Sequence, residues 1–123
     1  MADAVVAFQE WQSFRAGTGW TGLIQEQDRW IDTTRYSSAV VEAECPLISN
    51  CTLVIEGCDV QGGAFTTHTA LTASTAGAVQ LYLQRSAPYG AAERLSSLIR
   101  WRIEGDPGDE WNLMFRLNLV LKS

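Results

Sequence analysis

The run Trp111-Asn112-Leu113-Met114-Phe115-Arg116-Leu117-Asn118-Leu119-Val120-Leu121-Lys122 decides the fold. Trp111, Leu113, Phe115, Leu117, Leu119 and Leu121 hold every second position, and Asn112, Arg116, Asn118 and Lys122 fall between them. A period of two puts one row on each face of an extended chain. A helix would scatter the same side chains around its circumference. The run is therefore a strand with one face in a core. Upstream, Ile99, Trp101 and Ile103 alternate with Arg100 and Arg102, and the linker Glu104-Gly105-Asp106-Pro107-Gly108-Asp109-Glu110 is dense in turn formers. Two alternating runs about such a linker predict an antiparallel hairpin. They also predict a core built on Trp101, Trp111, Leu113, Phe115, Leu117 and Leu119.

The same alternation extends outward. Val79, Leu81 and Leu83 alternate with Gln80, Tyr82 and Gln84; Cys51, Leu53 and Ile55 with Thr52 and Glu56 up to Gly57; Ala39, Val41, Ala43 and Cys45 with Glu42 and Glu44 up to Pro46, where a strand should stop because proline cannot donate to a ladder. Residues 30–32 and 20–25 are shorter candidates, and the threonine-rich 65–71 favours an extended chain. Residues 4–14 fit both periods and are read as a strand, serving as an N-terminal arm or an edge. The one helical signal, in 87–97, suffices for a short turn. Seven to nine strands with at most one short helix, undivided by linker or repeat, predict a single all-β domain over 1–123. Its architecture is an antiparallel sandwich or barrel, the jelly roll foremost.

Composition excludes several function classes. With 14 acidic against 9 basic side chains the net charge is −5, which leaves no basic surplus to neutralise phosphates or to dock on anionic lipid. No apolar run approaches the roughly 20 residues needed to span a bilayer. The start Met1-Ala2-Asp3-Ala4-Val5-Val6 carries an acid where a leader carries basic residues, so a protein made in a cytoplasm and not exported by a signal peptide is expected. The odd count of cysteines, Cys45, Cys51 and Cys58, reads as small buried apolar residues, with one bridge under oxidising conditions left open. Without a C-x-x-C pair, and with His68 the only histidine, a zinc site is disfavoured.

No catalytic constellation assembles itself. His68, among threonines, reads as a surface residue with no nucleophile or orienting partner in view. Glu42 and Glu44 are two apart on a strand, about 6 to 7 Å from each other, near the spacing of a glycoside hydrolase; the plainer reading is the solvent face of a sheet. Residues 106–110 offer three carboxylates but lack the ligand spacing of a calcium loop, and no glycine loop has the lysine a phosphate cradle needs. No enzyme and no cofactor are expected. Arg100, Arg102 and Arg116 share the outward face of the expected hairpin, free to pair with Glu42, Glu44 or a partner's acids. The five tryptophans are more telling. Trp101 and Trp111 fall on inward phases, while Trp11, Trp20, Trp30 and, beside them, Tyr89 are candidates for a subunit interface or a sugar-stacking platform.

In order along the chain, Trp30-Ile31-Asp32 with Tyr36, the strand 38–44, Thr52-Leu53-Val54-Ile55-Glu56-Gly57 and the final two runs resemble small jelly-roll proteins. The pattern, from Trp30 to the C-terminus, is similar to the accessory structural proteins of tailed phages, which decorate or complete a capsid or tail. It is shared by discoidin-like and carbohydrate-binding jelly rolls, and no motif carries a site residue across. The resemblance implies a non-catalytic virion subunit, made in the host cytoplasm, whose partners are further copies of itself and capsid or tail subunits. The alternative is a carbohydrate-binding module whose exposed tryptophans hold a glycan.

Overall fold

The computed structural model describes residues 3–60, 62–75, 77–87 and 92–123. The strands are β1 (Ala4–Ala16), β2 (Gly22–Ile24), β3 (Ile31–Asp32), β4 (Ser38–Ser49), β5 (Cys51–Cys58), β6 (Thr66–Leu71), β7 (Gly77–Gln84), β8 (Leu98–Gly105) and β9 (Trp111–Lys122). All named pairings are antiparallel. A first sheet has the order β1-β9-β4-β7 and a second the order β2-β8-β5-β6, with β3 continuing β2 along β8. The gap between β2 and β3 is bridged by Gln25. Its backbone N–H donates to Trp101 O, and its side-chain Oε1 accepts from the Trp101 N–H at 3.2 Å.

The chain changes sheet at every connection except β2–β3 and β5–β6. That path is the double Greek key of a jelly roll. Inward rows from both sheets fill one hydrophobic cluster, in which Trp101, Trp111, Leu113, Phe115, Leu117 and Leu119 are all buried. β9 supplies the longest inward row because it lies between β1 and β4, with neighbours on both sides.

Two expectations are corrected and two are narrowed. β8 and β9 form no hairpin: they lie in opposite sheets, and the acidic linker is a crossover. Alternation reports which face of a strand is apolar and not which strand lies beside it; here the two inward rows meet across the core, Trp101 edge-on to Phe115 at 5.3 Å. β4 does not stop at Pro46, because a bulge between Glu44 and Leu47 absorbs the proline and pairing with β9 resumes through Ser49. In 87–97, where the signal sufficed for a short turn, the described residues form a clip at the end of β7, and 88–91 lie outside them. Gln84 N–H donates to Glu93 O, and Leu95 N–H to Gln84 O. Among the described residues the helical pieces are single 3-10 turns at Gln27–Arg29 and Ala73–Thr75. Finally, of the two roles expected for the N-terminal stretch the edge strand is the one seen and the arm is not: β1 pairs with β9 along its length, Phe8 is buried, and Val6 and Phe14 pack on the core.

Candidate functional site

The two outer faces differ in kind. On the first sheet the register aligns Val5, Val120, Val40 and Tyr82 into one row crossing all four strands, with Val5 75% and Tyr82 65% exposed. The next row, Ala7, Asn118, Glu42 and Gln80, is polar apart from its alanine. Beyond it Arg116 pairs with Glu44, and its guanidinium lies 5.1 Å from the Trp11 ring centre. Glu42 and Glu44 do share a face as expected, and each is engaged by a neighbour, Glu42 accepting from Gln80 Nε2 at 3.5 Å.

On the second sheet Glu56 is only 3% exposed, its carboxylate clamped between Arg100 at 2.6 Å and Arg102 at 2.8 Å, and Arg102 reaches on to Glu104. Arg100 is roofed by aromatic rings, its guanidinium 3.6 Å from the Phe65 centre and 5.0 Å from that of Trp30. Arg100 and Arg102 thus stand on the opposite face from Arg116, a further consequence of the missing hairpin. Arg116 takes a partner foreseen for it, and Arg100 and Arg102 take one that was not. Glu56 is half legible: it alternates with the apolar positions of its own strand, and two arginines two apart on another strand can share one acid beside them.

At one end of the sandwich a loop is pinned from two sides. Gly19 N–H donates to Pro107 O, Gly105 N–H donates to Thr21 O, both at 2.8 Å, and Trp111 Nε1–H donates to Trp20 O at 3.3 Å. The Trp111 indole lies so close over Gly105 that a Cβ there would stand 2.4 Å from Nε1. Gly22, at φ +150°, meets Ile103 O in the same manner. The anchored loop presents Trp20, 60% exposed, over a hollow of about 250 Å³ floored by Phe14, Leu23 and Trp111. A second hollow along the same seam between β1 and β2 shares Phe14 and Leu23 and adds Ile24, which is 53% exposed. Two of its polar side chains are engaged by Trp101, Gln9 Oε1 accepting from Trp101 Nε1–H at 3.2 Å and Gln25 serving the Trp101 backbone, while Gln12, Glu26 and Arg29 complete the lining.

The other end holds a buried polar cluster that the sequence reading missed. His68 is 5% exposed and not a surface residue, because the bulge between Ile55 and Glu56 in the β5–β6 ladder turns it inward. Its Nδ1 lies 2.7 Å from Ala92 O and its Nε2 3.1 Å from Ser96 Oγ. A carbonyl can only accept, so Nδ1 carries the proton and Nε2 accepts from the serine. Burial holds the imidazole below its ordinary pKa, against the pull of the Ala92 carbonyl, Asp59 and Glu56. A hydroxyl beside a base was not foreseen, yet Ser96 is itself 4% exposed and packs against Gly57. Next to it Arg85 donates to the carbonyls of Thr33, Tyr36 and Leu95, tying the β3–β4 loop to the clip. Burial lowers the Arg85 pKa as well.

Of the four aromatic candidates, Trp11 lies on the first outer face, Trp30 on the second, half-buried under Arg100 with Nε1–H donating to Gln25 O, and Trp20 at the loop end. They form no common platform. Tyr89 lies outside the described residues. All three cysteines are free thiols, and burial pushes Cys45 up to about 11. Among the described residues no three His, Cys, Asp or Glu side chains gather as a metal site, and no helix is long and apolar enough to cross a membrane. Comparison of the chain with protein-family models, with curated proteins and with solved structures finds no match.

Proposed function

We propose that the chain is a non-catalytic assembly subunit that docks other protein subunits along the seam between β1 and β2, in the manner of a capsid-decoration or tail accessory protein. One observation carries the reading: an exposed indole, Trp20, is held on a loop tied at three points beside an apolar hollow. A rigid aromatic anchor loses little entropy on binding, and such anchors dominate protein interfaces. The acidic surplus keeps unassembled copies apart in solution. A glycan is the weaker fit, because sugar hydroxyls ask for converging polar groups and the hollow beside Trp20 is lined, apart from Arg15, by apolar residues. The buried state of Ser96 and His68 speaks for a structural tie and against chemistry on a substrate.

The test is binding to particles or subunits encoded beside its gene. Wild type should bind and Trp20→Ala should lose roughly 30-fold in affinity, the scale of a central tryptophan. No affinity for any such partner overturns the reading. Retention on immobilised polysaccharide, lost in Trp20→Ala, puts the sugar-binding alternative in its place.

A further inference from the structure

Residues 60–84 contain no Asp, Glu, Lys or Arg, in a chain that has 23 such side chains elsewhere (14 acidic and 9 basic). This stretch builds one flank of the sandwich, β6 at the edge of the second sheet and β7 at the edge of the first. The opposite edge of the first sheet, β1, has the usual safeguards against edge-to-edge pairing, since Glu10 and Arg15 lie on it and two register shifts break its ladder. β7 has none: no charge, no proline, and an unbroken register with β4. Among the described residues its far side is covered only at Gln84, by the 93–95 clip.

We infer that β7 pairs with β7 of a second copy across a two-fold axis at Gln80, joining the two first sheets into one. This deepens the assembly reading and rests on it, naming a second copy as one of the subunits bound. Charge selects the occupant. A two-fold contact sets a charge near its axis against its own copy and brings two flanks of the same net sign together, and in a chain of net charge −5 a neutral flank escapes that penalty. Glu42, one strand inward from Gln80, stands three strand spacings from its copy, about 14 Å, beyond a Debye length of about 10 Å at 0.1 M salt.

The register follows from the two ends of the free edge. The clip at Gln84 leaves 77–83, whose centre is Gln80. Antiparallel pairing there sets Ala78 opposite Tyr82 of the second copy and Val79 opposite Leu81. On the outer face an exposed tyrosine comes to lie over an alanine; on the inner face Val79 and Leu81, half-buried at the open flank, are covered. The apolar row of Val5, Val120, Val40 and Tyr82 then continues onto the second copy.

Sedimentation equilibrium of the full chain at neutral pH tests this, with circular dichroism confirming the fold of each variant. Wild type should dimerise, and Gln80→Lys, which sets two ammonium groups face to face, should weaken the dimer on the order of tenfold or more. Mild oxidation of Gln80→Cys should link two copies through that one peptide, because only the residue on the axis meets itself. A monomeric wild type overturns the inference, even if it binds particles through the Trp20 seam and so upholds the assembly reading. A dimer untouched by Gln80→Lys, or one lost in Trp20→Ala alone, overturns it too and assigns self-association to the seam.

Discussion

The two outer faces of this sandwich handle the same exposure to water in opposite ways. On the second sheet Glu56, Arg100, Arg102 and Glu104 compensate one another, two charges of each sign, under the rings of Phe65 and Trp30. Every charge there has a partner in its own chain. On the first sheet an apolar row crosses four strands and ends at both edges in side chains that are mostly exposed, Val5 and Tyr82. The second face is a finished surface, and the first has the composition of one awaiting a neighbour. The difference is not one of amphipathic pattern, since both sheets alternate alike. It lies in how far the outward positions are taken up by complementary charges: a network of four side chains on the second face, against the Arg116–Glu44 pair beside an apolar row on the first.

The core joining the two faces gives the largest effect. Phe115 of the first sheet is fully buried and touches Trp101 of the second, so Phe115→Ala should cost roughly 3 to 5 kcal/mol in chemical denaturation. A loss below about 1 kcal/mol would mean that the sheets do not meet there. Next is the closed face. Glu56→Ala leaves Arg100 and Arg102, 13% and 25% exposed, without their shared carboxylate, and should cost about 3 kcal/mol. On the other face Glu44→Ala breaks a pair whose members are 45% and 35% exposed, and solvent screening holds its cost below about 1 kcal/mol. Equal losses from the two variants would erase the contrast between the faces.

Much of this was legible in the sequence, and what was not has a common cause. Alternation located β4, β5, β7, β8 and β9 and named the buried side chains of β9, because inward phase is a local property of a strand. It did not say that β8 and β9 sit in opposite sheets, because partner choice depends on where the chain crosses the core, and a turn-rich linker serves a hairpin or a crossover equally well. From that one error came the misplacement of Arg100 and Arg102 beside Arg116. His68 was misread for a related reason. The bulge that turns it inward arises from the mismatch between β5 and β6, which a row of threonines does not announce. Trp11, Trp20 and Trp30 lie close in sequence, yet the path from β1 to β3 crosses between sheets and scatters them over three surfaces. The polar end with Arg85 left no local mark, since its partners are backbone carbonyls.

His68 supplies a pH dependence whose sign is fixed. The folded chain holds its imidazole neutral with a lowered pKa, while the unfolded chain titrates near 6.5. Below that pH the unfolded state binds the proton first, so stability falls as pH drops from about 6.5 to the folded value and levels off beneath it. Denaturation midpoints at pH 7.5 and 5.5 should differ in wild type and converge in His68→Gln. A wild-type midpoint that rises on acidification would place the imidazole in a charged setting, contrary to its two neutral partners.

The smallest effect on folding sharpens the comparison most. Tyr82→Thr keeps a strand-favouring residue in β7, exchanging an aromatic for a β-branched side chain, and removes one cross-strand contact with Val40, worth about 0.5 kcal/mol. Thermal or chemical unfolding of the monomer should scarcely register it. If the first sheet is an unfinished surface, the same change should weaken self-association, because Tyr82 is the side chain that two-fold pairing lays over Ala78 of the second copy. Glu56→Ala should show the reverse profile, with lost stability and intact association per folded molecule. A face that completes itself within one chain reports its mutations in folding, whereas a face completed by a neighbour reports them in assembly. Should Tyr82→Thr destabilise the isolated fold by more than about 2 kcal/mol while leaving sedimentation unchanged, the exposed row would be part of the monomer's own packing, and the distinction between the two faces would fail.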